Sequence, residues 1–292
     1  MRRMISSAAL ILALTIAGCD KNEDPKVPAN PETPGTPTAP ADRPIIFTTA
    51  IAATRSPQLE ADGSGTFTAG DTFTLYAHDG NGASAALDYT IGATALYWRE
   101  IAFAQEGERI NLAACYPKQT LDKGAFDFTV TQSPDGDLLL VTGKEAAVGS
   151  EQPVELTFRH AMHRLTVQVE IEDESVDAAS VEILCSAHAS GRFDLVTGTC
   201  SLHDSKETFS ITKPEGNFLL YPQPTGGVSL EVHAGEATKQ WTLSELAPKQ
   251  DELESGKELT VKLTVRDGKI LFAGMTIEGW GNQGTVDGEI IL

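Results

Sequence analysis

The chain has 292 residues, with 22 Lys plus Arg against 41 Asp plus Glu and a formal net charge of −19. Such a surface repels a nucleic-acid duplex and an anionic leaflet, because phosphate binding rests on counterion release by clustered Lys and Arg, so nucleic acid is excluded as a partner. A hydrophobic content of 41% excludes disorder throughout, and 26 Gly, 15 Pro and 7% aromatic residues point to many short strands joined by turns.

At the N-terminus, Arg2 and Arg3 precede an apolar stretch, Ala8 to Ala17, that is shorter than the roughly 20 residues of a stable bilayer span. Residues 1–18 read as a secretory signal peptide. The end of that stretch, Leu14-Thr15-Ile16-Ala17-Gly18-Cys19, has the form of a bacterial lipobox, in which Cys19 is acylated and becomes the first mature residue. Palmitate-like chains on Cys19, at roughly 0.8 kcal/mol per buried CH₂, would anchor the protein to a membrane. Residues 19–43 form a tether. Prolines at 25, 28, 31, 34, 37 and 40 keep the three-residue period of polyproline II, and Pro44 closes the set. At about 3.1 Å per residue, residues 25–44 span about 60 Å. Glu23-Asp24 resembles the surface-export signal of some Gram-negative lipoproteins and equally suits the solvated start of a linker.

From Pro44 onward the hydrophobic period is two rather than 3.6, which makes the body all-β. In the first stretch Ile45, Phe47 and Ile51 alternate with Thr48 and Ala50. Further strands are predicted at 72–78, 94–98, 109–116, 126–131 and 137–142. Turn signals at Asp79-Gly80-Asn81-Gly82, Asp122-Lys123-Gly124 and Pro134-Asp135-Gly136-Asp137 separate them. A polar Gly, Ser and Glu stretch at 149–152 reads as a domain boundary. Strands follow at 154–159, 162–171, 179–187, 192–203, 207–212, 217–221, 228–243, 257–266, 269–278 and 286–291. The spacing fits two β-sandwiches in tandem, an N-terminal one over 44–152 and a C-terminal one over 153–292.

Residue patterns that carry chemistry are sparse. The chain has no HExxH, GxSxG, P-loop or GxGxxG after a strand, so no enzyme activity and no cofactor are expected. His160 and His163, three apart on a presumed strand, fall on opposite faces and cannot share a metal, and no metal site is expected. Asp135-Gly136-Asp137 could ligate calcium but is explained more simply by a hairpin turn. Trp98, Trp241 and Trp280 could form a sugar-stacking platform, although each sits in or at the end of an apolar strand and fits packing better. Beyond Cys19 an odd number of cysteines remains: Cys115, Cys185 and Cys200. Cys185 and Cys200 flank a possible hairpin turning at Ala189-Ser190-Gly191, so a disulfide between them is compatible with the pattern, and Cys115 reads as a small buried hydrophobe.

The lipobox Cys19, the tether, PIIFTTAIAATR at 44–55, ALYW at 95–98, AACYP at 113–117, LTFRHAMHRLTV at 156–167, LESGKELTVKLTV at 253–265 and TIEGW at 276–280 together resemble the fimbrillin family. Its members are lipoprotein subunits of type V pili of Gram-negative anaerobes and their Mfa-like relatives. The resemblance implies two tandem transthyretin-like β-sandwiches and an outer-membrane, lipid-anchored position at the cell surface. It also implies assembly by donor-strand addition with other pilus subunits, and adhesion to a host or bacterial surface receptor. In stalk subunits an Arg-specific protease cuts after the first strand, and a donor strand fills the groove left behind. The matching positions here are Arg55 and Ser56 for the cut, and Ile45, Phe47 and Ile51 for the removable strand. An ordinary strand-end charge explains Arg55 equally well, and Arg43 is a poor alternative because Pro44 follows it. The tail after Trp280, GNQGTVDGEIIL, is Gly-rich and departs from a stalk subunit's donor strand, which leaves an anchor, tip or accessory role open. The reading from another class is a glycan-binding surface lipoprotein with tandem β-sandwiches.

Overall fold

The computed structural model describes residues 40–52, 67–133 and 136–279. Cys19, the tether before Pro40, Arg55, Ser56, Trp280 and the strand predicted at 286–291 lie outside the described residues. In the N-terminal part the strands are β1 (Phe47–Ile51), β2 (Thr72–His78), β3 (Ser84–Thr90), β4 (Arg109–Tyr116), β5 (Ala125–Thr129), β6 (Leu139–Ala147) and β7 (Val154–His160). They are followed by β8 (His163–Ile171), β9 (Glu182–His188), β10 (Ser190–Asp194), β11 (Thr199–Leu202), β12 (Lys206–Thr212) and β13 (Glu215–Leu220). The chain continues through β14 (Ser229–Ala234), β15 (Ala237–Thr242), the single-turn helix α1 (Leu243–Leu246), β16 (Lys257–Arg266) and β17 (Lys269–Gly279).

The fold is all-β and built of stacked sheets. β1, β7, β6, β4, β2 and β3 form a six-stranded sheet in that order. β2 and β4 are buried over nearly their whole length because the sheet is covered on both faces. Phe73, Leu75 and Ala77 of β2, with Leu112 and Ala114 of β4, face one apolar cluster with Trp98, Leu156 and Phe158. The intervening Tyr76, Ala113 and Cys115 face another cluster, which contains Phe126 and Phe193 from a three-stranded sheet in the order β11-β10-β5. A strand covered on both faces gains from continuous rather than alternating apolar character, which is the pattern of TFTLYAH and RINLAACY.

The C-terminal sandwich stacks two four-stranded sheets, β12-β9-β14-β15 on β13-β8-β16-β17. Here the alternation is regular: Leu165, Val167 and Val169 of β8 and Leu259, Val261 and Leu263 of β16 point inward against Ile183 and Cys185 of β9 and Leu230 and Val232 of β14. The β16–β17 hairpin closes on Asp267-Gly268, both at positive φ (50° and 67°), the backbone that a two-residue type I′ turn needs to match strand twist. At the β2–β3 turn, the Asn81 and Ala83 amides donate to the Asp79 carboxylate at 2.7 and 3.0 Å, as an Asp-Gly signal leads one to expect.

Four expectations change. Residues 94–98 are not a strand: Tyr97 bridges Pro44 alone, and the chain turns into a 3₁₀ helix at Trp98–Glu100. The expected hairpin at Ala189-Ser190-Gly191 is a sheet switch instead. Ala189 is buried, β9 on one side of it belongs to the C-terminal sandwich, and β10 on the other pairs with β5 across residues 125–129. For the same reason the Cys185–Cys200 disulfide is not formed, since Cys185 lies inside the C-terminal sandwich while Cys200 packs against the cluster under β5 and β10, and both thiols are free. Finally, His160 and His163 do not share a strand: Ala161-Met162 separates them, and they end β7 and begin β8 in different sheets.

Candidate functional site

The site the sequence points to is the first strand. Ile45 is buried and its amide donates to the Leu96 carbonyl at 2.7 Å. β1 then runs parallel to β7 in a five-pair register from Phe47 opposite Val154 to Ile51 opposite Phe158, extended at either end by Val154 N–H to Ile46 O (2.7 Å) and Ala52 N–H to Phe158 O (2.8 Å). Among the described residues its other edge pairs with no strand, since β1 ends the sheet order. The strand is held by one ladder and by its side chains. Phe47 meets Tyr89 edge-on at 4.9 Å and Phe73 at 6.3 Å between ring centroids, and Ile51 is half-buried on the same cluster. Thr48 and Ala50 face solvent, so the alternation read in the sequence is the burial pattern observed.

Beneath β1, Phe67, Phe73, Tyr89 and Phe158 pack edge-on or tilted at 4.8 to 6.4 Å, a floor of aromatic rings that β1 helps to seal. An edge strand of five residues, paired on one side over an aromatic floor, is the geometry in which one strand can be exchanged for another. Sequence reasoning placed Ile45, Phe47 and Ile51 on one face but not their partner, β7. The alternation of VELTFRH was visible, yet parallel pairing joins residues more than a hundred apart and leaves no local signal.

The other candidates fall elsewhere. Trp98 is 1% exposed and its indole N–H donates to the Ser150 carbonyl at 3.0 Å, while Trp241 is a half-buried residue of β15, so these two form no stacking platform. Asp137 is engaged by the His160 imidazole Nδ1. His163 Nδ1–H donates to the Glu254 carbonyl at 2.9 Å, and burial pushes its pKa down to about 4, so the ring is neutral at physiological pH. Burial likewise pushes the Cys115 thiol up to about 12, away from reactivity. Among the described residues no three His, Cys, Asp or Glu side chains gather as a metal site would require, and no helix is long and apolar enough to cross a membrane.

Stacked β-sheets with an edge strand seated on an apolar floor define the class of the fold, an all-β sandwich protein. The chain belongs to the fimbrillin-like family, whose sequence model matches residues 54–280, beginning just after β1. Solved structures share the fold. A candidate cell adhesion protein from Bacteroides uniformis superposes with a TM-score of 0.62 at 16% identity, over 81% of this chain and 98% of that one. A second candidate cell adhesion protein, from Bacteroides ovatus, gives 0.57 at 19% identity over 82% and 98%. A fimbrial assembly protein from Parabacteroides distasonis gives 0.52 at 8% identity over 81% and 99%. No curated protein matches the chain.

Proposed function

We propose that this protein is a non-enzymatic, lipid-anchored pilus subunit of the cell surface that joins its neighbours by strand addition after removal of its first strand. Membership of the fimbrillin-like family and neighbours described as fimbrial assembly or cell adhesion proteins support a surface fibre or adhesin. The observation that carries the finer reading is β1: a five-residue edge strand, paired among the described residues on one side only, seated on an aromatic floor and followed within a few residues by Arg55-Ser56. A cut after Arg55 would sever β1, with the tether and the lipid, from the body, so that a donor strand could displace it from β7's edge and take the pockets of Ile45, Phe47 and Ile51.

The test is the N-terminus of the protein recovered from surface fibres by mass spectrometry, compared with membrane-bound monomer. The expected result is a mature N-terminus at Ser56 in the fibre and an acylated Cys19 in the monomer, with Arg55→Ala arresting the protein as lipidated monomer. An acylated Cys19 in the fibre-associated protein would overturn the strand-removal reading and assign the subunit to an anchor, tip or accessory position. Absence of acyl groups from the membrane-bound form would overturn the anchor.

A further inference from the structure

A second groove lies on the other side of β7. β6 and β7 pair only through Leu139 with His160 and Leu140 with Arg159. Beyond that point β6 continues to Ala147 with β4 on one side, and β7 has β1 on its far side. In an antiparallel ladder alternate residues turn their N–H and C=O away from the paired neighbour, so part of the backbone from Val141 to Ala147 faces the gap. Gly143, at φ 64°, sits where the register against β4 shifts, at a bulge in β6 just beyond its last pair with β7. Here lies a groove of about 600 Å³, lined by Thr142 and Lys144 of β6, Thr157 and Arg159 of β7, and by Cys200 and Lys257.

Its charge is opposite to that of the molecule. In a chain of net charge −19, Lys144, Arg159 and Lys257 converge on this groove. Among the described residues none of the three is within ion-pair distance of a carboxylate, although Glu155 also lines the groove. Lys257 is also the residue in register with Gly279, the last of β17. The described chain thus stops at Gly279, beside a residue that lines the groove. Residues 280–292 carry Asp287 and Glu289 and no Lys or Arg, with Trp280, Val286, Ile290, Ile291 and Leu292 as apolar members. Fully extended they reach about 43 Å, ample for the open edge of about 23 Å between residues 141 and 147.

We propose that the C-terminal segment of this chain, residues 280–292, adds as a strand to the open edge of β6 in its own molecule, drawn by Asp287 and Glu289 into the cationic groove of Lys144, Arg159 and Lys257. This goes beyond the strand-removal reading and does not depend on it, because the groove, the occupant and the bond to be broken are all different.

Amide hydrogen exchange of the full chain tests this, read by mass spectrometry on peptides covering residues 141–147. Two variants are compared with it: one ending at Gly279, and the full-length double substitution Asp287→Lys/Glu289→Lys, which keeps the test valid should truncation impair folding. Both are expected to exchange about tenfold faster over 141–147, as an opened edge does, with peptides of the C-terminal sandwich unchanged. A synthetic peptide of residues 280–292 should restore protection to the truncated chain, and adding Lys144→Glu/Lys257→Glu to the charge-reversed chain should restore it by swapping the pairs. Protection in the full chain should be the same across a hundredfold dilution. Equal exchange in all forms would overturn the proposal. So would protection that fades on dilution, which would assign the groove to the tail of a second copy.

Discussion

The two histidines at the β7–β8 junction show how burial sets chemistry residue by residue. His163 is almost fully buried, its Nδ1–H given to the Glu254 carbonyl and its Nε2 enclosed without a partner. The desolvation cost of charging it lowers its folded-state pKa to about 4 from 6.5. Between those values the unfolded chain binds a proton that the folded chain refuses, so stability is fully present above about pH 6.5 and falls as pH drops toward 4. Urea unfolding at pH 7.5 and pH 4.5 should differ by about 2 to 3 kcal/mol from this group alone, and His163→Gln should flatten that slope. A slope unchanged in the variant would refute the assignment. Nearby, Arg164 on β8 faces Glu258 on β16 at 2.5 Å, and the Thr166 hydroxyl donates to the same carboxylate at 2.7 Å. Both charges are mostly covered, so Glu258→Ala should cost about 3 kcal/mol by removing a partly buried ion pair and the acceptor of the Thr166 hydroxyl together. Arg164→Met together with Glu258→Leu should recover most of that loss in the same denaturation assay.

At the scale of elements, β1 offers the most direct measurement. Phe47 supplies a ring to the aromatic floor, so Phe47→Ala should weaken β1's hold by about 2 kcal/mol. After trypsin-like cleavage at Arg55, the fragment carrying β1 should therefore co-purify with the wild-type body and dissociate about thirtyfold more readily from the variant. Equal retention would show that Phe47 does not seat the strand. How the elements could be read follows the same physics. The bounds of β2, β4 and β16 coincide with 72–78, 109–116 and 257–266 because their apolar runs end at strong turn residues. β3, SAALDYT, is not legible in sequence, because its inward row Ala85, Leu87 and Tyr89 opens on a small side chain that gives little contrast with exposed Ala86. The apolar run ALYW has the composition of a strand, yet Trp98 is buried from a 3₁₀ turn, and composition alone does not separate the two. The stretch at 228–243 is a hairpin, β14 and β15, folded at Gly235 in positive φ, a single glycine inside a long alternating pattern. The alternating face of the candidate site was legible, but its partner strand and the gap beside β6 were not, because both arise from pairings distant in sequence.

For the molecule as a whole, the polar stretch at 149–152 looks like a linker in sequence and is tied down in the structure. Arg43 donates to the Gly149 carbonyl at 3.0 Å and meets Glu151 at 3.4 Å, and Trp98 donates to the Ser150 carbonyl. Beyond it β7 returns to the six-stranded sheet beside β1, so that sheet runs to His160 rather than ending before 153. The layer under its second face is shared, because β5 comes from residues 125–129 and β10 and β11 from 190–202. There Phe126, Phe193 and Tyr221 stack at 5.4 to 5.9 Å, and the Tyr221 hydroxyl donates to the Phe128 carbonyl at 2.6 Å. We propose that the two sandwiches divide at Ala161-Met162 and unfold as one unit, since separating them would uncover this common cluster. A protease site inserted at 149–152 should yield two pieces that still elute at the size of the intact protein and come apart only in denaturant. Tyr221→Phe, which removes one hydrogen bond across the shared layer at a cost of about 1 kcal/mol, should lower the denaturant midpoint for the nicked and intact forms alike. Nicked halves that separate under native conditions, each keeping its own folded transition, would instead establish independent domains meeting at 152.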